Sequence, residues 1–413
     1  MPKKTSIVVG KLVRGVARLK GGAGSALPGL VVEKIDSDFV KDCLGSLPRG
    51  VIVVSGSNGK TTTTKIIVEL LQAQGLKVFT NKTGSNFVRG VIAALLEKIN
   101  LQGKVDADIA VLELDEAHAV KFIEVVKPDY SLLLNVMRDQ LDRFGEIDTT
   151  ARYLGQLSDA TKKVVVINRE DQRLAKIIPR AKTVYFGLSD ELRAEFPNDD
   201  EMFGAPSAPK NLGIKADVEL FSLNGGGATF DVDGENYETP LALEGVYNAL
   251  NSAAALAMVR AVIPKAETKK LLGDLSKVSS AFGRGESFAI GGHDVKLLLV
   301  KNPAGFQLSL KSFDENGRKI MIAINDEYAD GRDMSWLWNV DFSGLEEVEI
   351  VSGMRAADMA LRLKYDEVAV KNIETDLAGA LKNFVELSGD KYIFATYTAM
   401  LKLRKILAGR SLI

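Results

Sequence analysis

Cysteine is nearly missing from this chain: Cys43 is the single one among 413 residues. That excludes a disulfide framework within the chain and any cysteine-rich zinc site, and it fits a reducing cytoplasm. An excess of one charge is missing too. The 53 basic and 54 acidic residues leave a formal net charge of −1, so nothing global points to nucleic acid. No apolar run approaches the roughly 18–20 residues needed to cross a bilayer, and the first residues lack the apolar core and cleavage site of a signal peptide. What is present is ordinary globular composition, 46% apolar and 26% charged. The chain is too long for one compact core, so two domains with an appendage are expected.

The most informative stretch is VIVVSGSNGKTTTT, residues 51–64. A β-branched apolar run, expected to be a buried parallel strand, breaks into a glycine turn and then a helix start. Gly56 and Gly59 let the backbone turn tightly, so that N–H groups point at phosphate oxygens. Lys60 suits β- and γ-phosphate charge, the Thr61 hydroxyl suits Mg²⁺, and the positive end of the following helix attracts the anion. The expected nucleotide contacts are Gly56, Ser57, Asn58, Gly59, Lys60, Thr61 and Thr62. A general Walker loop would need glycine at 54, where this chain has Val54, so the loop is the shorter G-x-x-G-K-T form.

Strand-like runs at 50–55, 77–80, 108–113, 130–135 and 163–167 alternate with helical patterns near 59–74 and 87–98. This predicts a doubly wound, mostly parallel sheet with ligands at the carboxyl ends of its strands. Glu113, Asn135 and Asn168 fall at those ends. Between 188 and 240 the chain reads as a loop plus a small β insertion, and helical patterning returns at 247–262. A second α/β series, with strands at 295–300, 319–324, 347–352 and 391–395, follows a boundary placed near 290. At the N-terminus Val8, Leu12, Val16 and Leu19 follow helical spacing, with Lys11, Arg14 and Arg18 on another face. Such a helix can rest on anionic lipid, but a small apolar face without tryptophan or phenylalanine favours packing on the body of the protein.

The acids in VLELDEAHA have two readings. Glu113, at a strand end beside the glycine loop, suits a hard cation shared with Thr61; Asp115 and Glu116 also suit the start of a helix, and His118 suits a helix surface. Arg138, Asp139, Asp142 and Arg143 are either a salt-bridged loop or part of the site. Gly245, Asn248 and Asn251 have G-x-x-N-x-x-N spacing, which places two amides on one helical face where they can meet an adenine edge; capping by Asn248 would leave Asn251 unexplained. Arg284, between glycines in AFGRGESF, is placed to reach a γ-phosphate, or simply marks a turn.

Taken in order, GSNGKTT, ELDEA, NVMRDQLDRFGE, G-x-x-N-x-x-N and GRGES resemble the Mur ligase superfamily over about residues 50–290. Gln140 stands where the amino-acid-adding members have a histidine metal ligand. VKNPAGF at 300–306, INDEYADGRDMSWLWNVDF at 324–342 and SGMRAADMALRL at 352–363 are similar to the MurT family, the ATP-using subunits of lipid II isoglutaminyl synthase.

The resemblance implies an α/β fold. Residues 1–45 would be an amphipathic helix and lead-in, 46–290 a Mur-ligase-type P-loop ATPase domain carrying the β insertion, and 291–413 a second, Rossmann-like domain. It also implies ATP and Mg²⁺ as cofactors, with Lys60, Glu113, Arg284 and Asp333 as catalytic residues. Phosphorylation of the D-glutamate α-carboxyl in the lipid II stem peptide would be followed by amidation with ammonia from a GatD-like glutaminase partner, in the cytoplasm, with peripheral contact at the cytoplasmic face of the membrane as an option. Asp333 would orient a histidine of that partner, with Asp326, Glu327 and Asp341 as rivals, and the same aspartate also suits a turn cap before Ser335. Trp336 and Trp338 suit an interface, with room for one in the core. Cys43, in KDCLGSL, is expected to be structural rather than a glutaminase nucleophile. Many relatives carry a four-cysteine zinc ribbon in the central domain, and no zinc is expected in a chain with one cysteine. The alternative reading is an amino-acid-adding ligase of the Mur or folylpolyglutamate type.

Overall fold

The computed structural model describes residues 2–19, 26–81, 87–138, 147–196, 213–243, 245–279, 284–312 and 318–410. Its first sheet comprises β1 (Val51–Ser55), β2 (Val78–Thr80), β3 (Ile109–Glu113), β4 (Tyr130–Leu133), β5 (Val164–Asn168), β6 (Lys182–Leu188), β7 (Val218–Asn224), β8 (Gly227–Val232) and β9 (Glu235–Pro240). Among the described residues the spatial order is β2-β3-β1-β4-β5-β6-β7-β8-β9. Pairing is parallel from β2 to β7 and antiparallel through the β7–β8–β9 meander. β1, β3, β4 and β5 are buried at every residue, as strands covered on both faces are. The segment expected as an insertion thus extends the main sheet, with β7 continuing the ladder of β6. Its residues 197–212 lie outside the described set. β6 is absent from the sequence reading because only Phe186, Gly187 and Leu188 of its seven residues are fully buried.

Successive side chains of the central strands go to opposite faces. Ile52, Val54 and Val111 join a core with α4 (Lys60–Ala73) and the helix Val246–Val262. Val51, Val53 and Leu112 join a second core under α5 (Val88–Lys98) and α6 (Glu116–Val125), together with Ile7, Val32 and Phe39.

Those last three residues come from the N-terminal helices α1 (Lys4–Leu19), α2 (Ala26–Ile35) and α3 (Phe39–Leu44). α1 does not pack as expected. Gly10 allows close approach to α2 and α5, since a Cβ there would stand 2.6 Å from a Val32 methyl and 2.7 Å from a Leu96 methyl. Lys11 donates to the Ile99 carbonyl at 2.6 Å and Arg14 pairs with Glu97. The basic side therefore faces the protein, and the Val8, Leu12 and Val16 stripe faces outward at 45%, 65% and 54% exposure.

The second sheet is β10 (Arg284–Ile290), β11 (His293–Leu299), β12 (Lys319–Ala323), β13 (Glu347–Ser352), β14 (Ala369–Glu374) and β15 (Lys391–Ala395), in the order β10-β11-β15-β12-β13-β14. It is parallel except for β10–β11. The sheet begins at Arg284, ahead of the boundary expected near 290. β10 is an edge strand fixed through Glu286, which accepts two hydrogen bonds from Arg404 at 2.7 and 2.8 Å, so little of its pairing is written as apolar residues. β14, another edge strand, is largely exposed and equally illegible.

Cys43 lies wholly buried in the second core, where burial pushes its thiol up to about 12. A thiolate-selective reagent at mildly alkaline pH should label nothing in the native protein and the single thiol in guanidinium chloride; rapid native labelling would show that α3 opens readily.

Candidate active site

The glycine loop joins β1 to α4 and is held from the next strand. Asn135, just past β4, accepts the Ser57 N–H at its carbonyl (3.0 Å) and the Asn58 N–H at its side-chain oxygen (2.8 Å). Its amide donates back to the Asn58 carbonyl at 3.1 Å. Gly56 (φ 137°) and Gly59 (φ 84°) turn the chain through conformations that favour glycine. At Gly59 space matters as well, because a Cβ would lie 2.4 Å from Asn251 Oδ1.

Lys60 is buried and bends over the loop. It donates to the Gly56 carbonyl and, at 3.3 Å, to the Ser57 carbonyl, and its Nζ lies 3.7 Å from Glu116 Oε1. The Thr61 hydroxyl donates to Glu113 Oε1 at 2.8 Å, and both residues are buried. Asn81 fixes the Glu113 main chain from both sides, at 2.8 and 2.9 Å. Two hard oxygen donors therefore meet beside the loop. Among the described residues no group of three or more His, Cys, Asp or Glu is arranged to hold a metal. That donor set suits a cation that takes few protein ligands and keeps waters or phosphate oxygens, as Mg²⁺ does.

Asp115 begins α6 without a side-chain capping bond. Burial alone would raise its carboxyl, but the neighbouring His118 ring, Lys60 and Lys301 hold it below the ordinary range. His118 is on the surface side as expected, 3.7 Å from Asp115, with its ring against Phe87. Glu116 is more deeply buried than a simple helix-start acid.

Asn248 and Asn251 share one face of the helix Val246–Val262, their side chains 3.5 Å apart. The cap of that helix is Gly245, not Asn248. Both amides line a cavity of about 150 Å³ with Gly59, Thr62, Asn135 and Met137. The cleft continues past Asn251 to Asn168, Phe186, Phe196 and Tyr247. The Phe196 and Tyr247 rings lie 4.8 Å apart, and the enclosed Tyr247 hydroxyl has no hydrogen-bond partner among the described residues. An apolar aromatic wall beside paired amides is suited to a flat heteroaromatic base.

The second domain reaches the loop through residues that the sequence reading used only as a family signature. Lys301 Nζ donates to the Ser57 carbonyl at 3.1 Å. Asn302 and Asn58 exchange side-chain hydrogen bonds at 3.0 and 3.4 Å. Asn302 also accepts the Gly305 N–H at 2.7 Å, fixing the first turn of the helix Pro303–Ser312. The available signal was Asn-Pro after a strand, a cap followed by proline at the first helical position.

The remaining expected residues divide. Arg284 begins β10, and its side chain lies outside the described residues, as do Asp139, Gln140, Asp142 and Arg143. Asp333 is exposed and accepts the Ser335 N–H at 2.9 Å; the Ser335 hydroxyl, and after it that N–H, hold its carboxyl below the usual range. Its rivals are engaged: Asp326 with Arg355 at 2.7 Å, Glu327 with Lys402 at 2.9 Å, and Asp341 with Ser343 at 2.6 Å. Trp336 is buried, while Trp338 is 48% exposed, edge-on to Tyr365.

A phosphate loop, a carboxylate on the adjacent strand and a second α/β domain closing on the loop define an ATP-dependent ligase of the Mur type. The Mur ligase middle domain family matches residues 54–259, and the MurT ligase C-terminal family matches 299–400. The chain is 32% identical to the lipid II isoglutaminyl synthase (glutamine-hydrolyzing) subunit MurT of Streptococcus pneumoniae, over 95% of this chain and 94% of that one. It is 29% identical to the Staphylococcus aureus subunit of the same name, over 97% and 96%. The chain belongs to the MurT family. Among solved structures, the MurF ligase of Thermotoga maritima in complex with ADP superposes with a TM-score of 0.68 at 19% identity, covering 93% of this chain and 84% of that one. A pseudomurein peptide ligase type C from Methanothermus fervidus does so with 0.68 at 18%, covering 88% and 79%. Both share the fold.

Gly59→Ala tests the loop geometry. The left-handed backbone and the contact with Asn251 predict a loss of about 1–3 kcal/mol in stability and a marked loss of ATP affinity, measured by thermal unfolding and calorimetric titration; unchanged ATP affinity would remove Gly59 from the site.

Proposed function

We propose that this chain amidates the D-glutamate α-carboxyl of the lipid II stem peptide, using ATP and ammonia. The observation that carries the reading is the convergence of Lys60, the Thr61–Glu113 pair and Lys301 of the second domain on one phosphate loop. A carboxylate oxygen of the substrate attacks the γ-phosphorus, the bond to the ADP oxygen breaks, and an acyl phosphate forms. The ammonia nitrogen then adds to the carbonyl carbon, inorganic phosphate leaves, and one proton is lost, giving the primary amide.

Each protein group has a task in that sequence. Backbone N–H groups at the start of α4, Gly59 to Thr62, and the Lys60 ammonium bind the transferred phosphoryl and its developing charge, while the Ser57 and Asn58 N–H groups are held by Asn135. Thr61 and Glu113 would hold Mg²⁺, which when bound screens charge between the phosphates. Asn248 and Asn251 orient the adenine beside the Phe196–Tyr247 wall, and Arg284 remains our candidate for the γ-phosphate. Lys301 and Asn302 draw the second domain over the loop, which keeps water from the acyl phosphate.

The nitrogen source is a separate glutaminase subunit of GatD type. The name of the relatives, subunits of a glutamine-hydrolyzing synthase, supports this, and the buried, high-pKa Cys43 is unsuited to be a glutaminase nucleophile. Exposed Asp333 is the acid we assign to the partner's catalytic histidine, beside the exposed ring of Trp338. We place the reaction in the cytoplasm, at the membrane face that presents the lipid-linked substrate. An amino-acid-adding activity is the weaker reading: UDP-N-acetylmuramoylalanine–D-glutamate ligases match only about half of this chain, 50% for that of Aromatoleum aromaticum.

Mass spectrometry of lipid II incubated with the chain, ATP, Mg²⁺ and ammonium should show conversion of one carboxyl to an amide, and Lys60→Ala should abolish it with the fold intact. No mass change alongside a competent control enzyme would leave only nucleotide binding standing. With the partner present, Asp333→Asn should depress glutamine-driven amidation by about tenfold or more while leaving ammonia-driven amidation near normal; equal losses would place Asp333 outside the partner's site.

A further inference from the structure

α1 is held to the protein by buried Ile7, by Gly10 and by Lys11 and Arg14, and turns a second apolar stripe to solvent. Val8, Leu12 and Val16, spaced along one face, are 45%, 65% and 54% exposed, and nothing among the described residues covers them. The contact between Ser6 and Asp36 and the approach of Gly10 to Val32 make α1 and α2 antiparallel. Leu27, 53% exposed near the start of α2, therefore lies at the Val16 end of the stripe. Water-exposed apolar groups aligned in this way mark a contact surface.

Charge narrows the occupant. The sixteen residues of α1, KTSIVVGKLVRGVARL, include four basic residues and no acid, and Lys3 and Lys4 are exposed at its start. Lys11 and Arg14 are turned to the protein, onto the Ile99 carbonyl and Glu97, so the exposed positive charge beside the stripe is that of Lys3 and Lys4. A protein partner forming a stable interface needs about 800 Å² from each side, more than a convex stripe of three or four partly buried side chains offers. A bilayer needs no shape match, accepts a narrow apolar stripe at the acyl boundary, and supplies negative headgroups to flanking lysines.

We propose that α1 is an interfacial helix that rests on an anionic lipid bilayer through Val8, Leu12 and Val16. Shallow, reversible contact is what so small a stripe without an aromatic anchor supports. Its use, bringing the phosphate loop to a lipid-linked substrate, rests on the function proposed above; the contact itself does not.

The test uses the full chain and vesicles that hold no substrate. Cosedimentation should show binding to phosphatidylglycerol–phosphatidylcholine vesicles, several-fold weaker binding to phosphatidylcholine alone, and loss of the difference at high salt. The double variant Leu12→Glu, Val16→Glu should reduce binding by about tenfold or more. Its melting temperature and its amidation of a soluble, lipid-free stem peptide should be unchanged, because both side chains point to water. The proposal is overturned if the full chain does not bind anionic vesicles, if the double variant binds them equally, or if the variant instead loses its glutaminase partner on size-exclusion chromatography. Absence of amidation with vesicle binding intact would sink the proposed function and leave the membrane surface standing.

Discussion

The site depends on one constraint, the path of four residues between β1 and α4. To present the N–H groups at the start of α4 to a triphosphate, the chain has to reverse direction within these four residues, and no regular element does that. Gly56 and Gly59 supply the backbone angles, but angles alone leave a loop that rearranges. Asn135 removes that freedom by bonding Ser57 once and both main-chain groups of Asn58. The parallel pairing of β4 with β1 brings it there. The loop is therefore pre-organised by sheet register, which is how a parallel α/β sheet turns remote sequence positions into one site.

The same Asn58 ties the two domains. Its main chain belongs to the Asn135 clamp, and its side chain exchanges hydrogen bonds with Asn302, while Lys301 reaches the carbonyl of Ser57. Any shift of the loop is felt by the second domain at these contacts. This gives a direct physical route from the glycine loop to the second domain, through a few polar bonds that exchange partners more cheaply than an apolar interface would.

Much of this was legible because it is written as local pattern. The β-branched runs gave the central strands, Gly-x-x-Gly-Lys-Thr gave the loop, and G-x-x-N-x-x-N gave two amides on one helix face. What escaped is written in relations between distant segments. β10 and β14 are edge strands whose pairing does not require apolar alternation, so β10's role in the second sheet was invisible and the boundary was set too late. Asn135 was legible as a residue at a strand's carboxyl end, but its clamp on Ser57 and Asn58 is written only in sheet register, and Asn302 looks like an ordinary loop residue until domain contact gives it a partner. The N-terminal helix was misjudged for a different reason. Periodicity identifies an apolar stripe but not which side faces the body, and here Gly10 permits a close contact that pairing of Arg14 with Glu97 secures.

The charges around the loop show why the reaction takes two domains. Lys60 and Glu116 are buried beside one another, and Asp115 feels both Lys60 and Lys301. Charges withdrawn from water are tolerable only when each has an opposite neighbour. Acids at the start of α6 supply those neighbours for the cation of the loop and for the cation of the second domain. A triphosphate entering this cluster would add negative charge that Lys60, already flanked by Glu116, is poorly able to balance alone, and Lys301 is a second cation at the loop, brought by the second domain. In the proposed reaction, the cation for phosphoryl transfer and the cover over the acyl phosphate would both come from the segment that follows one strand, β11, where Lys301 and Asn302 meet the loop.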